Sequence, residues 1–135
     1  MFQLEIVTPE AKTYSDTVDS VVIPGIEGEL GILSQHVPLL TQIEPGELRV
    51  TKDGKETNLA VGEGFVEITG ERVIVLTDMA VEESNIDAEA AEEAVRRAEQ
   101  AMAGEKLSDE EFATTAAALQ RSLALVRVKR RRHHG

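Results

Sequence analysis

The spacing of apolar residues changes near residue 84 of this 135-residue chain, and that change constrains the fold more than any other sequence feature. Before it, the chain consists of short apolar runs, rich in Val, Ile and Thr, that turn residues separate. These strand-length runs cover residues 2–7, 17–24, 47–51, 57–61, 65–69 and 73–77. After Asn85 the spacing becomes helical. The pattern therefore predicts a β domain, residues 1–84, and a helical segment, residues 85–135.

Two turn signals indicate how the predicted strands are connected. Asp53-Gly54 separates two apolar runs and is a preferred pair for a type I′ hairpin turn. Gly70 with Glu71 marks a second hairpin between two later runs. Short strands at regular intervals, joined by Gly-containing turns, predict an antiparallel β-sandwich or barrel.

The helical segment contains the signals for two helices. Asp87 is a suitable N-cap for the first helix, and Gly104 ends it. Ser108 and Glu111 form a capping box at the start of the second helix. The connection between them is short, so the helices should fold back as an antiparallel hairpin. Because the facing surfaces are rich in alanine and bury little area, we expect the hairpin to be weakly held and able to open.

The charge distribution excludes several classes of function. The net charge is −11, with −11 in residues 1–84, −6 in residues 85–118 and +6 in residues 119–135. An acidic body of this kind disfavours nucleic-acid binding, because it repels the phosphate backbone. No apolar run approaches the roughly 20 residues that span a bilayer, and the N-terminus lacks a secretory signal pattern. We therefore expect no direct insertion into a bilayer.

The chain also lacks a recognisable catalytic or metal-binding set. It has no cysteine, and His36 is the only histidine before the C-terminal tail. The glycines at 25, 28 and 31 resemble a nucleotide-binding loop only superficially, because no Lys follows and the loop leads into a short strand. We expect no catalytic residues and no metal. A hydrolase centred on His36, and a free-standing β-sandwich adaptor or sugar-binding module, are the alternatives; the absence of Trp disfavours a sugar platform.

The most informative segment covers residues 22–40 and reads VIPGIEGELGILSQHVPLL. It closely resembles the signature of the epsilon subunits of F-type ATP synthases (called delta in mitochondria), in which a G-x-x-G segment is followed by a spaced His-x-Pro. Residues 4–10, 45–50 and 73–78 resemble strands of this family, and residues 86–87 and 123–128 resemble parts of its two C-terminal helices. The resemblance covers essentially the whole chain in order.

This resemblance implies a β-sandwich of about ten antiparallel strands followed by a C-terminal two-helix hairpin. It also implies a non-catalytic rotor subunit of the central stalk, which couples ion flow through the c-ring to ATP synthesis and restrains ATP hydrolysis. The implied partners are the gamma subunit, the c-ring and, when the hairpin extends, the catalytic alpha and beta subunits. The implied location is peripheral, on the cytoplasmic side of a bacterial plasma membrane.

The resemblance also assigns residues to the expected contacts. By position, Glu27, Gly28 and Glu29 match the loop that faces the c-ring. The region near gamma and the ring is matched by His36, Pro38 and Leu39. In bacterial relatives the hairpin either folds against the sandwich or extends into the catalytic head, where it blocks rotation.

A basic C-terminal tail could contribute to that block. Its cations are Arg127, Lys129, Arg130, Arg131 and Arg132. The beta subunits of this enzyme class carry an acidic loop, which an extended basic tail could engage electrostatically. We expect such an attraction to weaken as the salt concentration rises.

Some relatives bind ATP between the folded helices through an I-D-x-x-R-A motif and further arginines. This chain keeps Ala91 as the Ala of that motif and matches four other positions of the site: Ile86, Asp87, Arg97 and Arg121. However, Ala90 and Leu125 stand where two of the arginines belong. Because the loss of two cations weakens a phosphate site, we expect ATP binding to be weak or absent and predict no cofactor.

Overall fold

The computed structural model of the chain describes residues 1–33, 38–104 and 106–133, with the backbone alone for residues 131–133. Ten strands precede two helices, which confirms the predicted order. The strands are β1 (Phe2–Val7), β2 (Lys12–Val18), β3 (Ser20–Gly25), β4 (Gly28–Ile32), β5 (Leu39–Ile43), β6 (Gly46–Lys52), β7 (Lys55–Val61), β8 (Gly64–Thr69), β9 (Arg72–Thr77) and β10 (Ala80–Glu82). A short 3-10 turn (Glu83–Asn85) leads into α1 (Ala88–Gly104), and α2 (Asp109–His133) follows.

The strands form one sheet that curls into a sandwich. Its order is β10-β7-β6-β3-β5-β8-β9-β1-β2, with β4 paired to β3 beside this path. A single residue pair, Gly25 with Ile43, joins β3 to β5, so the sheet bends there into two layers. The last strand of this order, β2, contacts β6 of the first layer. Lys52 on β6 forms an ion pair with Asp16 on β2, with the Nζ and Oδ2 atoms 2.7 Å apart.

The N-terminal strand β1 lies inside this sheet rather than at its edge. It pairs with β2 in antiparallel fashion and with β9 in parallel, so that Leu4 lies beside Val73. Within residues 1–33 and 38–82, this is the one parallel pair, and the others are antiparallel as predicted. A parallel pair needs a long connection, which the intervening strands supply.

The interpretation of residues 17–24 as one strand is wrong. The strand β2 ends at Val18 and β3 begins at Ser20, because the chain passes from one layer to the other at Asp19. The amide of Asp19 donates to the carbonyl oxygen of Thr51 on β6, at 2.9 Å. Val18 and Val21 are both fully buried, so apolar residues occur on both sides of the crossing. The sequence pattern therefore does not reveal that the strand ends there.

The main core lies between the two layers of the sandwich. It consists of aliphatic side chains and Phe2, and all of its buried members fall between residues 2 and 75. Leu4, Ile23, Leu48 and Leu59 are among the side chains with no solvent exposure. Since neither helix contributes a described residue to this cluster, the core of the sandwich is complete without them.

Both predicted hairpin turns are confirmed. Asp53 and Gly54 have φ angles of 52° and 78°, the two positive values that a type I′ turn requires. Gly70, between β8 and β9, has a φ of 56°, a conformation that glycine adopts at little cost.

The helix caps also agree with the sequence. A carboxylate oxygen of Asp87 accepts a hydrogen bond from the amide of Ala90 at 3.1 Å, which caps α1. Ser108 Oγ accepts from the amide of Glu111 at 3.1 Å, and Glu111 Oε1 accepts from the amide of Ser108 at 3.0 Å. These reciprocal bonds form the predicted capping box, so the start of α2 is fixed locally.

The two helices pack as the predicted antiparallel hairpin. Ala91 and Ala98 are the buried residues of α1. Arg130, near the end of α2, lies 3.4 Å from the Glu92 carboxylate in the first part of α1. Phe112 at the start of α2 stays about half exposed, so the hairpin covers little surface at that end.

Candidate functional site

An acidic hairpin joins β3 to β4 and carries the three residues predicted to face the c-ring. Glu27, Gly28 and Glu29 are all exposed, and Gly28 has a φ of 122°, which favours glycine. The turn is tight, because a Cβ atom on Gly25 would lie only 2.7 Å from the carbonyl oxygen of Gly28. The hairpin therefore presents two carboxylates on a backbone of restricted shape.

Arg49 on β6 ties this hairpin to the sheet. Its guanidinium donates to Glu29 at 2.9 Å and to the buried Glu47 carboxylate at 3.3 Å. Glu56 on β7 lies 4.0 Å away. The hydrogen bond to Glu29 is the main reason why the pKa of Arg49 is raised above its ordinary value. Glu29 is thus held against the sheet, whereas Glu27 lies at the turn.

A group of exposed apolar side chains covers the outer surface of β5, β8 and β9. This apolar face consists of Ile26, Leu40, Phe65 and Leu76, each about half exposed or more. Phe65 and Leu76 are direct partners across β8 and β9, while the amide of Ile26 bonds to β5 at the carbonyl of Gln42. Glu67 lies opposite Leu40, and Gln42 lies opposite Phe65, so polar side chains border these apolar ones. An exposed apolar surface with a polar border is typical of a binding site.

The remaining residues predicted near gamma and the ring lie beside this face or outside the described part of the chain. Pro38 and Leu39 are exposed at the start of β5. His36 falls outside the described residues. The sequence pattern did not identify Phe65 and Leu76, although both are out of phase with the buried residues Val66, Ile68, Val73 and Val75.

The second half of α2 docks on the outer surface of β6 and β7. Val128 is fully buried and forms a small apolar cluster with Ala60 of β7 and Ile86. Ion pairs border this cluster. Arg121 lies 3.2 Å from Asp78, and Lys129 lies 3.4 Å from the Glu83 carboxylate while also donating to the Glu83 carbonyl at 3.3 Å. The chain is therefore in a compact state, with its hairpin on the sandwich.

The basic tail is partly engaged in this compact state. Lys129 and Arg130 pair with Glu83 and Glu92, whereas Arg127 is exposed. The side chains of Arg131 and Arg132 fall outside the described residues. Lys129 therefore ties α2 to the turn before α1, and Arg130 ties α2 to α1 itself. Separation of α2 from both partners would free these two cations.

The four residues that match the nucleotide site of some relatives have separate local roles. Ile86 packs in the small apolar cluster, and Asp87 caps α1. Arg97 lies 3.5 Å from Glu93 and projects into solvent, while Arg121 pairs with the sandwich.

Two further features bear on function. Within residues 1–33, 38–104 and 106–130, no group of three or more His, Cys, Asp or Glu side chains is arranged to hold a metal ion. Neither α1 nor the described part of α2 combines the length and apolarity that a membrane-spanning helix needs.

Sequence comparison relates both parts of the chain to known families. Residues 1–83 match the beta-sandwich domain of the ATP synthase delta/epsilon chain, and residues 84–130 match its long alpha-helix domain. An ATP synthase epsilon chain of Dehalococcoides mccartyi is 43% identical over 133 residues, which cover 97% of this chain and 95% of the relative. One of Herpetosiphon aurantiacus is 42% identical over 98% of this chain and 96% of its own length.

Two solved assemblies contain chains of similar fold. A chain in a cryo-EM structure of the mitochondrial ATP synthase of Euglena gracilis matches with a TM-score of 0.75 and 24% identity, covering 90% of this chain and 77% of that one. A chain from the central stalk and c-ring of the Tetrahymena thermophila mitochondrial ATP synthase matches with a TM-score of 0.62 and 13% identity, covering 94% and 95%. At these identities the likeness concerns the fold alone.

Proposed function

The chain belongs to the ATP synthase delta/epsilon family, and on that premise we propose that it is a non-catalytic rotor subunit of the central stalk. In this role it couples rotation of the c-ring to ATP synthesis and restrains ATP hydrolysis. The observation that carries the proposal is the two-part architecture. The sandwich has a self-contained core, and the hairpin is held on its outside through the second half of α2. The sandwich must be rigid to transmit torque, whereas the hairpin must be able to move if it acts as a brake, that is, as a reversible inhibitor of hydrolysis.

The β3–β4 hairpin is the proposed contact with the c-ring. It projects two carboxylates, and the bidentate contact of Arg49 with Glu29 restricts its movement. A restrained polar hairpin suits a contact with the polar loops of the ring, because little conformational entropy is lost on binding. Pro38 and Leu39 lie at the start of β5 and extend the same proposed contact region.

The apolar face formed by Ile26, Leu40, Phe65 and Leu76 is the proposed contact with gamma. Leu40, Phe65 and Leu76 lie on paired strands, and Ile26 lies in the tight β3–β4 turn, so they form a surface of restricted shape. Burial of such a surface is worth about 25 cal/mol per Å² of apolar area removed from water. Together, the ring contact and the gamma contact would connect the two rotor parts through one sandwich.

The helical hairpin is the proposed brake. In the compact state, Lys129 and Arg130 neutralise carboxylates of this same chain. When α2 separates from the sandwich and from α1, these two cations join the exposed Arg127 in reaching the acidic loop of a catalytic beta subunit, and the hairpin then blocks rotation in the hydrolysis direction. The subunit remains peripheral at the cytoplasmic side of a bacterial plasma membrane, where the ring holds it.

ATP binding does not contribute to this proposed regulation. Arg97 lies beside the Glu93 carboxylate, and Arg121 pairs with Asp78. A hydrogen bond from Arg96 lowers the pKa of Glu93, so the charged form that attracts Arg97 is favoured. We expect that millimolar ATP, with or without magnesium, leaves the melting temperature and the amide NMR spectrum of the chain unchanged. A rise in melting temperature that depends on ATP concentration would contradict this expectation.

An add-back experiment tests the brake. ATP hydrolysis is measured with a catalytic head that lacks this subunit, and again after adding the full chain or a variant that ends at Glu83. We expect only the full chain to slow hydrolysis, because the shorter variant keeps the whole core of the sandwich but lacks both helices.

Binding to gamma is the control for this experiment. Both forms should co-purify with gamma, since the apolar face lies within residues 26–76. If both bind without slowing hydrolysis, the hairpin is not a brake. If neither binds, the position in the central stalk is wrong, and the free-standing adaptor becomes the better hypothesis.

A further inference from the structure

A buried asparagine lies on the surface that α2 covers. On β7, Leu59 and Val61 point into the main core, so Asn58 and Ala60 point outward. An outward position on a sheet is normally exposed, yet Asn58 is only 6% exposed and Ala60 is fully buried. The element that lies over this surface is α2, whose Val128 packs against Ala60. Glu82, Glu83 and Ser84 also lie beside Asn58, and Lys129 of α2 reaches this turn through the Glu83 carbonyl. The docked helix and the turn therefore enclose Asn58 together.

The side-chain oxygen of Asn58 has no hydrogen-bond partner and essentially no surface accessible to solvent. Two nearby donors are engaged elsewhere. Arg49 lies directly across from Asn58 on β6, but its guanidinium donates to Glu29 and Glu47. Lys129 on α2 donates to the carbonyl of Glu83. A buried acceptor without a partner destabilises the state that buries it, because this oxygen would bind water if exposed.

The other contacts that hold α2 on the sandwich are small. The apolar cluster under α2 has three buried members, Ala60, Ile86 and Val128, and three partly buried ones, Met79, Val81 and Leu125. The ion pairs of Arg121 and Lys129 are partly exposed, and such pairs contribute little and weaken with salt. Beside one small apolar cluster and two partly exposed ion pairs, a single unsatisfied acceptor changes the docking equilibrium measurably.

We infer that Asn58 is a release element: its unpaired oxygen limits how tightly α2 docks and keeps the undocked state thermally accessible. An apolar residue at this position would hold α2 on the sandwich more firmly. The consequence for regulation rests on the proposed brake, since an α2 that undocks less often would restrain hydrolysis less.

Thiol labelling tests this inference on the isolated full-length chain. Because the sequence has no cysteine, an Ala60→Cys change places a single thiol under α2. A thiol reagent then modifies it at a rate proportional to the population of the undocked state. In this background, Asn58→Leu is expected to slow labelling by about fivefold or more. This factor corresponds to the lower end of the usual free-energy cost of one unsatisfied buried acceptor. Asn58→Val, which is smaller and suits a strand, should slow it in the same direction.

Two controls separate docking from general stabilisation. Gln42→Leu also replaces an amide by leucine, but at an exposed position on β5, and should leave the labelling rate at residue 60 unchanged. A Val66→Cys chain carries its thiol in the main core and reports opening of the sandwich itself. Asn58→Leu should alter labelling at residue 66 far less than at residue 60.

Unchanged or faster labelling at residue 60 in both the Leu and Val variants would overturn the inference. Equal slowing at residues 60 and 66 would also overturn it, because the effect would then be on the whole sandwich. These outcomes do not depend on ATP hydrolysis. If labelling slows but inhibition of the catalytic head is unchanged, the inference about Asn58 stands, and the proposal that the hairpin inhibits hydrolysis is wrong.

Discussion

Replacement of Gly64 by alanine is expected to destabilise the sandwich by about 3 kcal/mol or more. A Cβ atom at this position would overlap the carbonyl oxygen of Leu76 and lie 2.8 Å from the Cα of Thr77. Both residues belong to β9, where Thr77 pairs with Gly64, so β8 and β9 would have to move apart. For a domain of this size we expect a melting temperature lower by at least about 12 °C, measured by calorimetry or circular dichroism.

Gly31→Ala is the matched control for this prediction. Gly31 lies on β4, which pairs with β3 alone, and a Cβ atom there meets nothing within 4 Å. Its replacement should change the free energy of unfolding by less than about 0.5 kcal/mol. Equal melting temperatures for the two variants would show that β8 and β9 separate at little cost, contrary to their close pairing at Gly64.

Val128→Asp is expected to release α2 from the sandwich without unfolding the sandwich. Val128 is fully buried against Ala60 and Ile86, and a carboxylate enclosed there without a partner would cost about 3 kcal/mol or more. Undocking avoids this cost, because it returns the carboxylate to water. The main core has no described member from α2, so the melting of the sandwich should change little.

Amide NMR spectra distinguish release of α2 from unfolding. The resonances of Ala60 and Val81, which lie in or beside the docking cluster, should shift, while those of Val66 and Val75 in the main core should not. The control is Arg127→Asp, which introduces the same carboxylate at the neighbouring, exposed position of α2. If the spectra of the two variants coincide, α2 is not held through Val128.

The parts of the fold that were predictable from the sequence are those that local chemistry determines. The turns at Asp53-Gly54 and Gly70 and the capping box at Ser108 each depend on residues that are adjacent in the chain. The family was also predictable, because the signature in residues 22–40 is contiguous, and the family matches over residues 1–83 and 84–130 confirm it.

Other parts of the fold could not be read from local pattern. The strand β2 has mostly exposed or half-buried residues and lacks an apolar run, so only its last part was included in a predicted strand. The crossing at Asp19 interrupts no apolar pattern. The apolar face forms only when strand pairing brings Phe65 beside Leu76. The oxygen of Asn58 lacks a partner because of residues distant in sequence, and local pattern does not reveal them.

The parallel pairing of β1 with β9 determines when the newly synthesised chain can complete its sandwich. The ribosome makes β1 first, but the strand that covers its second edge ends at Thr77, so closure waits until most of the domain has emerged. Contacts so distant in sequence make folding slow, on the order of milliseconds to seconds. Local hairpins such as β6–β7 and β8–β9 form sooner. The helices follow the sandwich in the chain, so α2 docks onto a domain whose core is already complete.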